Sequence, residues 1–189
     1  MTKQELRKIY KEKRQSLSIH DIEKFNDLIL IHFQKSDLPF LNCVHTYLAS
    51  LKQAEPDTSK ILRFLEFKNP LLKIVIPKID IHSGNMEHYH FHDDVQLIEN
   101  IFGIDEPKEG ERVSESDIDM VLIPLLSFDK KGYRVGYGKG YYDKFLLKCR
   151  PDAIKFGLSF FDPVDEIEDI NSFDIPLNYC VTPHQLYVF

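Results

Sequence analysis

The chain has few cysteines, no tryptophan and no long apolar run. Its three cysteines, Cys43, Cys149 and Cys180, are far apart and form no CxxC pair, so neither a disulfide framework nor a zinc site is expected. Reduced thiols favour a cytoplasmic protein. The longest apolar runs, 28–31 and 121–126, are far too short to cross a bilayer. The N-terminus shows no apolar signal region, so no membrane partner is expected.

Basic residues are also fewer than acidic residues, and the formal net charge is −6. General nucleic-acid binding usually requires a basic face, so that class of partner is not expected. A local basic pocket for an anionic small molecule is still compatible with an acidic chain. The 43% hydrophobic and 29% charged residues are typical of globular proteins. The length of 189 residues predicts a single domain over 1–189, and a monomer is expected.

Helix-like and strand-like patterns alternate along the chain. Apolar spacing predicts a helix over 3–15. Ser18, with Asp21 three residues later, predicts a capped second helix. Further helices are expected over 59–68 and 94–100. Strands are predicted over 42–49, 71–77, 118–124, 154–159, 179–181 and 186–188, with a hairpin over 79–91.

This alternation predicts an α/β layer fold with a mostly parallel sheet. A proline is expected to end the strand over 71–77. Ligands of such folds lie beyond the carboxyl ends of the strands. The segment that follows the strand over 118–124 is therefore the expected place for a binding site.

Glycine is scarce, yet half of the eight glycines fall in that segment. They are Gly132, Gly136, Gly138 and Gly140. Glycine lets an anion approach backbone N–H groups closely, and Lys139 adds a point charge suited to phosphate. A helix is predicted to begin after Gly140, and its free N–H groups would complete an anion-binding loop. Asp143, in the first helical turn, is placed to hold magnesium against phosphates.

The loop departs from the common phosphate-binding motifs. Tyr133 stands where a Walker A motif requires its first glycine, and Tyr141 takes the last position of GxGxxG. A plain glycine-rich turn is the alternative to phosphate binding. Tyr141 and Tyr142 could pack on a flat ligand or on the core.

Three further patterns each allow two interpretations. Lys3, Arg7, Lys11 and Arg14 fall on one stripe of the first helix, which is either a solvated face or a basic clamp on a polyphosphate. The alternating histidines of the predicted hairpin are either an exposed face or part of a metal site, although no complete ligand set is visible. They are His88, His90 and His92. Glu55, a loop acid, is either solvated or functional.

Four sequence blocks run in order through nearly the whole chain. They are 3–7 with Arg14, then 47–51 followed by 55–58, then 75–78 with Met86, and finally 103–107 continuing through 117–124 to 136–143. In these blocks the chain resembles the 5-formyltetrahydrofolate cyclo-ligase (methenyltetrahydrofolate synthetase) family. The last block is highly specific, whereas the first is weak alone.

The resemblance implies a fold and a reaction. The fold is a three-layer α/β sandwich with a mostly parallel central sheet, similar to sugar-phosphate isomerases and CoA transferases. The reaction is the ATP-dependent cyclisation of 5-formyltetrahydrofolate to 5,10-methenyltetrahydrofolate, with release of ADP and phosphate through a phosphorylated formyl (imidate) intermediate. ATP is the implied co-substrate, Mg²⁺ the implied metal and the folate, polyglutamylated or not, the small-molecule substrate.

The resemblance also implies roles for individual residues. Within the segment 134–142 and the first helix, the implied ATP contacts are Lys3, Arg7, Arg134, Gly136, Gly138, Lys139, Gly140, Tyr141 and Tyr142. The implied folate contacts are Ser50, Glu55, Met86 and Tyr141. The implied magnesium ligands are Asp143 and Asp174. Residues expected to serve the reaction itself are Lys139, Arg134 and Tyr141.

Two other classes of function share this architecture. One is an isomerase or transferase of sugar phosphates or CoA esters, which would need neither ATP nor magnesium. The other is a non-catalytic nucleotide- or folate-binding protein, which would bind ligand without releasing ADP. Fold alone does not choose among them.

Overall fold

The structure, a computed structural model, describes residues 1–101 and 103–189. Its α-helices are α1 Lys3–Gln15, α2 Ile19–Phe33, α3 Ser59–Lys68 and α4 Tyr141–Leu146. Its strands are β1 Cys43–His45, β2 Lys73–Asp80, β3 Asn85–His90, β4 Leu97–Glu99, β5 Asp105–Pro107, β6 Met120–Pro124, β7 Ser127–Phe128, β8 Arg134–Val135, β9 Ile154–Leu158, β10 Tyr179–Val181 and β11 Leu186–Val188.

Seven strands form the central sheet, in the order β11-β10-β9-β6-β1-β2-β3. The five inner strands are parallel, and β3 and β11 add an antiparallel strand at each edge. From β1 the chain proceeds outward to β2, whereas from β6 it proceeds the opposite way to β9 and β10. Because the strand order reverses between β1 and β6, a crevice is expected at their carboxyl ends.

Helices cover both faces of this sheet. On one face, Phe33 of α2 packs on Phe156 of β9 with ring centroids 4.8 Å apart, and Ile61 of α3 belongs to the same buried cluster. On the other face, Phe145 of α4 packs with Val121 of β6. The two apolar layers confirm an α/β sandwich with a mostly parallel sheet.

Helix α1 packs on the β7–β8 hairpin and on the residue that follows β6 by two positions. Its buried residues Leu6 and Tyr10 pack with Leu126, Val135 and Ile167. Val135 is in β8, which pairs with β7 in a short hairpin just before the glycine loop. The helix that carries the basic stripe is therefore fixed beside that loop.

Local signals predicted the first two helices well. The helix expected over 3–15 is α1. The predicted cap of α2 is confirmed, because Asp21 N–H donates to Ser18 Oγ at 3.1 Å and Ser18 N–H donates to Asp21 Oδ2 at 3.2 Å. The helix expected over 59–68 is α3.

Two local predictions are wrong. The helix expected over 94–100 is absent, and β4 there pairs with β5. Proline does not end the second strand, because β2 continues through Pro77 to Asp80. Beyond Val75, β2 pairs only with β3, and an edge position of this kind tolerates proline.

Candidate active site

A cavity of about 1030 Å³ opens at the carboxyl ends of β1, β2 and β6. Its wall includes Tyr47 just beyond β1, Pro77 within β2 and Pro124 at the end of β6. The volume is at the upper end of the roughly 300–1,000 Å³ of ordinary small-molecule sites. A cavity thus lies where the site is expected, beyond the carboxyl ends of the strands.

All residues that the resemblance assigns to ATP, folate or magnesium line this one cavity. They are Lys3, Arg7, Ser50, Glu55, Met86, Arg134, Gly136, Gly138, Lys139, Gly140, Tyr141, Tyr142, Asp143 and Asp174. Some are far apart in sequence: Lys3 and Asp174, separated by 171 residues, form an ion pair. The fold thus brings the candidates together, and their individual roles stay predictions.

The glycine loop is held in shape from α1. Arg7 Nε donates a hydrogen bond to the Gly136 carbonyl oxygen at 2.9 Å. Gly138 has φ +89°, and a Cβ placed there would lie 3.2 Å from Arg7 Cζ. Gly140 also has positive φ, at +70°. Both positions are in the left-handed region, which side chains disfavour.

Lys139 lies at the exposed tip of this loop. Among the described residues, 1–101 and 103–189, no hydrogen bond or ion pair engages its ammonium group. The loop therefore presents a cation to the cavity without an internal counter-ion. Such an arrangement suits an anionic ligand.

The basic stripe of α1 divides into two parts. Lys3, Arg7 and Lys11 line the cavity, as the clamp interpretation requires. Arg14 is only 2% exposed, and it donates hydrogen bonds to the Leu125 carbonyl oxygen and to the Tyr137 hydroxyl. The solvated-face interpretation is therefore wrong for Arg14.

Two carboxylates on the cavity wall are paired with cations. Arg134 Nη2 lies 2.7 Å from Asp143 Oδ1, and Lys3 pairs with Asp174. Burial lowers the pKa of Arg134, and the charge of Asp143 opposes that effect. Asp174 is oriented further by the Asn171 N–H, which donates to its Oδ2 at 2.7 Å.

The donors present fit a magnesium ion that is completed by phosphate. Within the described ranges, no group of three His, Cys, Asp or Glu side chains could hold a metal by itself. Magnesium commonly needs only one or two carboxylates, with waters and substrate phosphates filling its shell. Asp143 is 30% exposed toward the cavity. Its Oδ2 has no protein partner among the hydrogen bonds of the described residues.

Glu55 is oriented from two directions. The Ser50 N–H donates to Glu55 Oε2 at 2.9 Å, across a short 3-10 turn over Leu51–Gln53. The Tyr137 hydroxyl donates to Glu55 Oε1 at 2.6 Å. Glu55 is thus a fixed acceptor in the cavity wall rather than a solvated loop acid. The segment 134–142 indicated a phosphate loop, and nothing in it indicated this bond.

The two tyrosines after Gly140 lie between the cavity and the core. Tyr141 and Tyr142 both line the cavity and both pack against the core on the α4 side. The Tyr142 hydroxyl is buried and has no hydrogen-bond partner among the described residues. Burial raises the pKa of Tyr142 well above its ordinary value.

The alternating histidines do not share one exposed face. His88 is only 3% exposed, and its ring lies 5.1 Å from His45 and 4.1 Å from Phe145. His90 Nδ1 lies 3.4 Å from Glu111 Oε2, and His92 is half exposed. The exposed-face interpretation is wrong for His88, and the metal interpretation finds no ligand trio in the described ranges.

The sequence block 103–107 lines part of the cavity wall, although no role was predicted for its residues. Glu106 of β5 is buried and accepts hydrogen bonds from Ile79 N–H at 3.0 Å and Asn100 Nδ2 at 2.7 Å. Ile104 and Asp105 line the cavity beside it. Because a helix was expected over 94–100, the β4–β5 hairpin was not predicted. No local signal distinguished the short strands from a helix.

The family model described as the 5-formyltetrahydrofolate cyclo-ligase family matches residues 1–183. The chain belongs to the 5-formyltetrahydrofolate cyclo-ligase family. The resemblance drawn from the four sequence blocks is thereby confirmed. The glycine loop and the cavity wall fall inside the matched residues.

Known cyclo-ligases match the chain to different extents. The mitochondrial 5-formyltetrahydrofolate cyclo-ligase of Arabidopsis thaliana is 33% identical over 59% of this chain, but the alignment covers only 44% of that protein. The cyclo-ligase of Mycoplasma pneumoniae is 29% identical over 85% of this chain and 86% of its own. The curated relatives are thus matched over very different shares of their lengths.

A solved structure matches along the whole chain. The NMR structure of the Aquifex aeolicus 5,10-methenyltetrahydrofolate synthetase has a TM-score of 0.80 and 29% identity. The match covers 100% of this chain and 93% of that one. The cyclo-ligase fold expected from the four blocks is therefore confirmed. Among the described helices, none combines the length and the apolar character that crossing a bilayer requires.

Proposed function

We propose that this chain catalyses the ATP-dependent cyclisation of 5-formyltetrahydrofolate to 5,10-methenyltetrahydrofolate, with release of ADP and phosphate. One observation carries the proposal: in a member of the cyclo-ligase family, an unpaired loop lysine and an oriented carboxylate line the same cavity. These are Lys139 and Glu55. The cavity thus offers a cation for phosphate and an acceptor for a polar heterocycle.

The chemical difficulty is a poor leaving group, because the formyl oxygen must depart as the ring closes. Attack of that oxygen on the γ-phosphorus of ATP forms a P–O bond and releases ADP. N10 then attacks the formyl carbon, its proton is lost to solvent, and the oxygen leaves with phosphate. No covalent bond to the protein is needed in this sequence.

The nucleotide is assigned to the wall formed by the glycine loop and α1. Lys139 and the N–H groups of 136–140 would contact the phosphates, and Lys3, Arg7 and Arg134 would add cationic contacts. Phosphoryl transfer depends mostly on positioning and charge neutralisation. In such an arrangement, alignment of the two bound substrates can lower the activation free energy by roughly 7–11 kcal/mol.

The folate is assigned to the wall that carries Glu55. Ser50, Met86 and Tyr141 also line the cavity, and they would add folate contacts. With Tyr137 and the Ser50 N–H each donating to one of its oxygens, the Glu55 carboxylate has lone pairs left for ligand N–H groups. The pterin ring would be aligned by these bonds with its formyl oxygen toward ATP.

Magnesium is assigned to Asp143 and Asp174. Bound there with phosphate oxygens, it would neutralise phosphate charge. Both carboxylates already have cationic partners, Arg134 and Lys3. Those cations would then be available to phosphate when the carboxylates meet the metal.

We also propose that the chain acts as one domain, as a monomer, in the cytoplasm. One seven-stranded sheet from β11 to β3 supports the single domain. The three cysteines are free thiols, which supports a reducing compartment. Analytical ultracentrifugation would test the monomer.

A direct assay tests the reaction. The protein is mixed with Mg-ATP and 5-formyltetrahydrofolate, and the near-ultraviolet absorbance of the methenyl product is followed while ADP is measured in parallel. Equal amounts of methenyl product and ADP are expected. Omission of ATP should abolish both signals.

Three other results would overturn the proposal. Folate or nucleotide binding without ADP release would identify a binding protein. Methenyl formation that proceeds equally without ATP would exclude the phosphorylated intermediate. An isomerase or transferase would show neither ATP dependence nor methenyl product.

A further inference from the structure

A hydrogen-bonded chain connects the buried side of α1 to the folate wall of the cavity. Arg14 Nη1 donates to the Tyr137 hydroxyl at 3.0 Å, and that hydroxyl donates to Glu55 Oε1 at 2.6 Å. This series of hydrogen bonds ends at Ser50, whose N–H donates to Glu55 Oε2. Its members come from α1, the glycine loop and the loop after β1.

Arg14 is an unusual group to bury. It is 2% exposed, and among the described residues it forms no ion pair within 4.0 Å. Its other acceptor is the neutral Leu125 carbonyl oxygen, and its Nε has no partner in the described ranges. A buried cation without compensation is costly. The carboxylate of Glu55, reached through one hydroxyl, is the compensating charge.

Tyr137 can serve this purpose because its hydroxyl keeps its proton. Burial and the neighbouring Glu55 carboxylate raise the pKa of Tyr137, and Arg14 opposes the rise only in part. The hydroxyl accepts from Arg14, so its single proton is directed toward Glu55. Charge-assisted bonds of this kind are stronger than neutral ones.

We infer that Arg14 and Tyr137 are positioning residues that hold the Glu55 carboxylate for the folate, and that the Tyr137 side chain serves the folate site rather than the ATP site. The inference rests on the proposed function, since it takes Glu55 as a folate contact. It separates Tyr137 from its loop neighbours, which are assigned to phosphate. The glycine loop then contributes to both substrate sites, through Lys139 on one side and Tyr137 on the other.

The same geometry explains how Glu55 avoids rearrangement when the substrate arrives. Both carboxylate oxygens are engaged before binding, so the side chain loses little further freedom when folate binds. Without the Tyr137 hydroxyl, one oxygen would lose its donor. The carboxylate could then rotate out of line with the ligand.

The test compares Tyr137→Phe with a matched control, Tyr133→Phe. Tyr133 lies in the same segment, and no side-chain hydrogen bond among the described residues involves its hydroxyl. Calorimetry measures binding of 5-formyltetrahydrofolate and, separately, of a non-hydrolysable ATP analogue. We expect Tyr137→Phe to weaken folate binding about 10-fold or more, with analogue binding changed less than about twofold. Tyr133→Phe should match the wild type for both ligands.

Arg14 variants provide the second arm. Arg14→Lys keeps a cation and Arg14→Met removes it, so Arg14→Lys should retain more folate affinity than Arg14→Met. Thermal melting of each variant shows whether it is folded. If Arg14→Met does not fold, the comparison of Tyr137→Phe with Tyr133→Phe still decides the matter.

Several outcomes would overturn the inference. Equal folate binding by wild type and Tyr137→Phe would do so, as would a selective loss of ATP-analogue binding or a proportional loss of both ligands. A wild type that binds no 5-formyltetrahydrofolate would instead overturn the proposed function itself. The wild-type arm therefore distinguishes the two failures.

Discussion

Arg134 and Asp143 form an ion pair on the wall of the cavity, in which Arg134 Nη2 lies 2.7 Å from Asp143 Oδ1. Arg134 is 6% exposed and Asp143 is 30% exposed. The pair joins β8 to the first turn of α4 and so fixes both ends of the glycine loop. It also keeps a candidate phosphate contact and a candidate metal ligand in one unit.

Asp143→Asn should weaken both stability and magnesium use. The amide leaves the nearly buried Arg134 without its counter-charge, so we expect a loss of about 1–3 kcal/mol in the free energy of unfolding. The magnesium concentration for half-maximal activity should rise. Urea denaturation and a magnesium titration of turnover measure the two effects.

The control for this variant is Asp37→Asn. Asp37 is exposed and does not line the cavity. Asp37→Asn should leave the free energy of unfolding and the magnesium concentration for half-maximal activity unchanged. An unchanged magnesium requirement in Asp143→Asn would exclude Asp143 as a metal ligand.

Lys139→Ala should impair turnover and leave folding intact. Its ammonium group is exposed and has no partner in the described ranges, so the free energy of unfolding should stay within about 0.5 kcal/mol of the wild type. Loss of a charge contact to the transferring phosphate should lower kcat by about 10²–10³-fold. Lys24→Ala, at an exposed position of α2, serves as the control. A folded Lys139→Ala variant of normal rate would remove this lysine from the mechanism.

Gly138→Ala and Gly136→Ala form a matched pair for the shape of the loop. At Gly138, φ is +89° and a Cβ would lie 3.2 Å from Arg7 Cζ, whereas at Gly136 nothing lies within 4 Å. Alanine in the left-handed region costs about 1–2 kcal/mol. Thermal or urea denaturation should therefore show a loss for Gly138→Ala and little change for Gly136→Ala. Equal stabilities would contradict the loop conformation.

Glu55→Gln should chiefly affect the folate. The amide can still accept from the Tyr137 hydroxyl, but it loses the charge that compensates Arg14 and that attracts ligand N–H groups. We expect the KM for 5-formyltetrahydrofolate to rise about 10-fold or more, with a smaller change in the KM for ATP. Steady-state kinetics at saturating concentration of the other substrate separates the two. Glu109→Gln, at an exposed position, should behave as the wild type.

The buried His88 should make stability depend on acidity. Burial lowers its pKa to about 4 from 6.5, with Glu115 opposing the shift and Lys148 adding to it. The unfolded chain therefore takes up a proton near pH 6.5 while the folded protein does not. Stability is full above that range and is lost as the pH falls toward about 4, by about 3 kcal/mol at most from this group.

His88→Leu should reduce that loss. Between about pH 7.5 and about pH 5, the variant should lose about 2 kcal/mol less stability than the wild type. Urea denaturation at the two pH values measures the difference. His82→Leu, at an exposed position in the same hairpin, should keep the wild-type dependence. If the stability of His88→Leu falls with pH as much as that of the wild type, another group is responsible for the pH dependence.

Local sequence signals predicted the elements whose information is contained within a few residues. The cap formed by Ser18 and Asp21 and the apolar run of β6 are examples. Prediction failed where pairing partners decide the conformation. The segment 94–100 forms β4 because β5 lies beside it, and β2 continues through Pro77 because that part of the strand pairs on one side only.

Charge and burial of single side chains were also beyond local prediction. Arg14 shares the spacing of Lys3, Arg7 and Lys11, yet it is buried under the loop. His88 shares the alternation of its hairpin, yet it packs on His45. Spacing identifies which residues share a face, but the elements packed on that face decide which of them are solvated.

The amino-acid order alone determined the family, the α/β sandwich and the candidate residues of the glycine loop, because that loop and its flanking strand form contiguous, specific patterns. Only tertiary structure decided that Tyr137 reaches Glu55 across 82 residues and that Arg14 lies behind it. Contacts at that separation depend on how α1, the loop and the end of β1 pack together. No periodicity or motif within one segment encodes that packing.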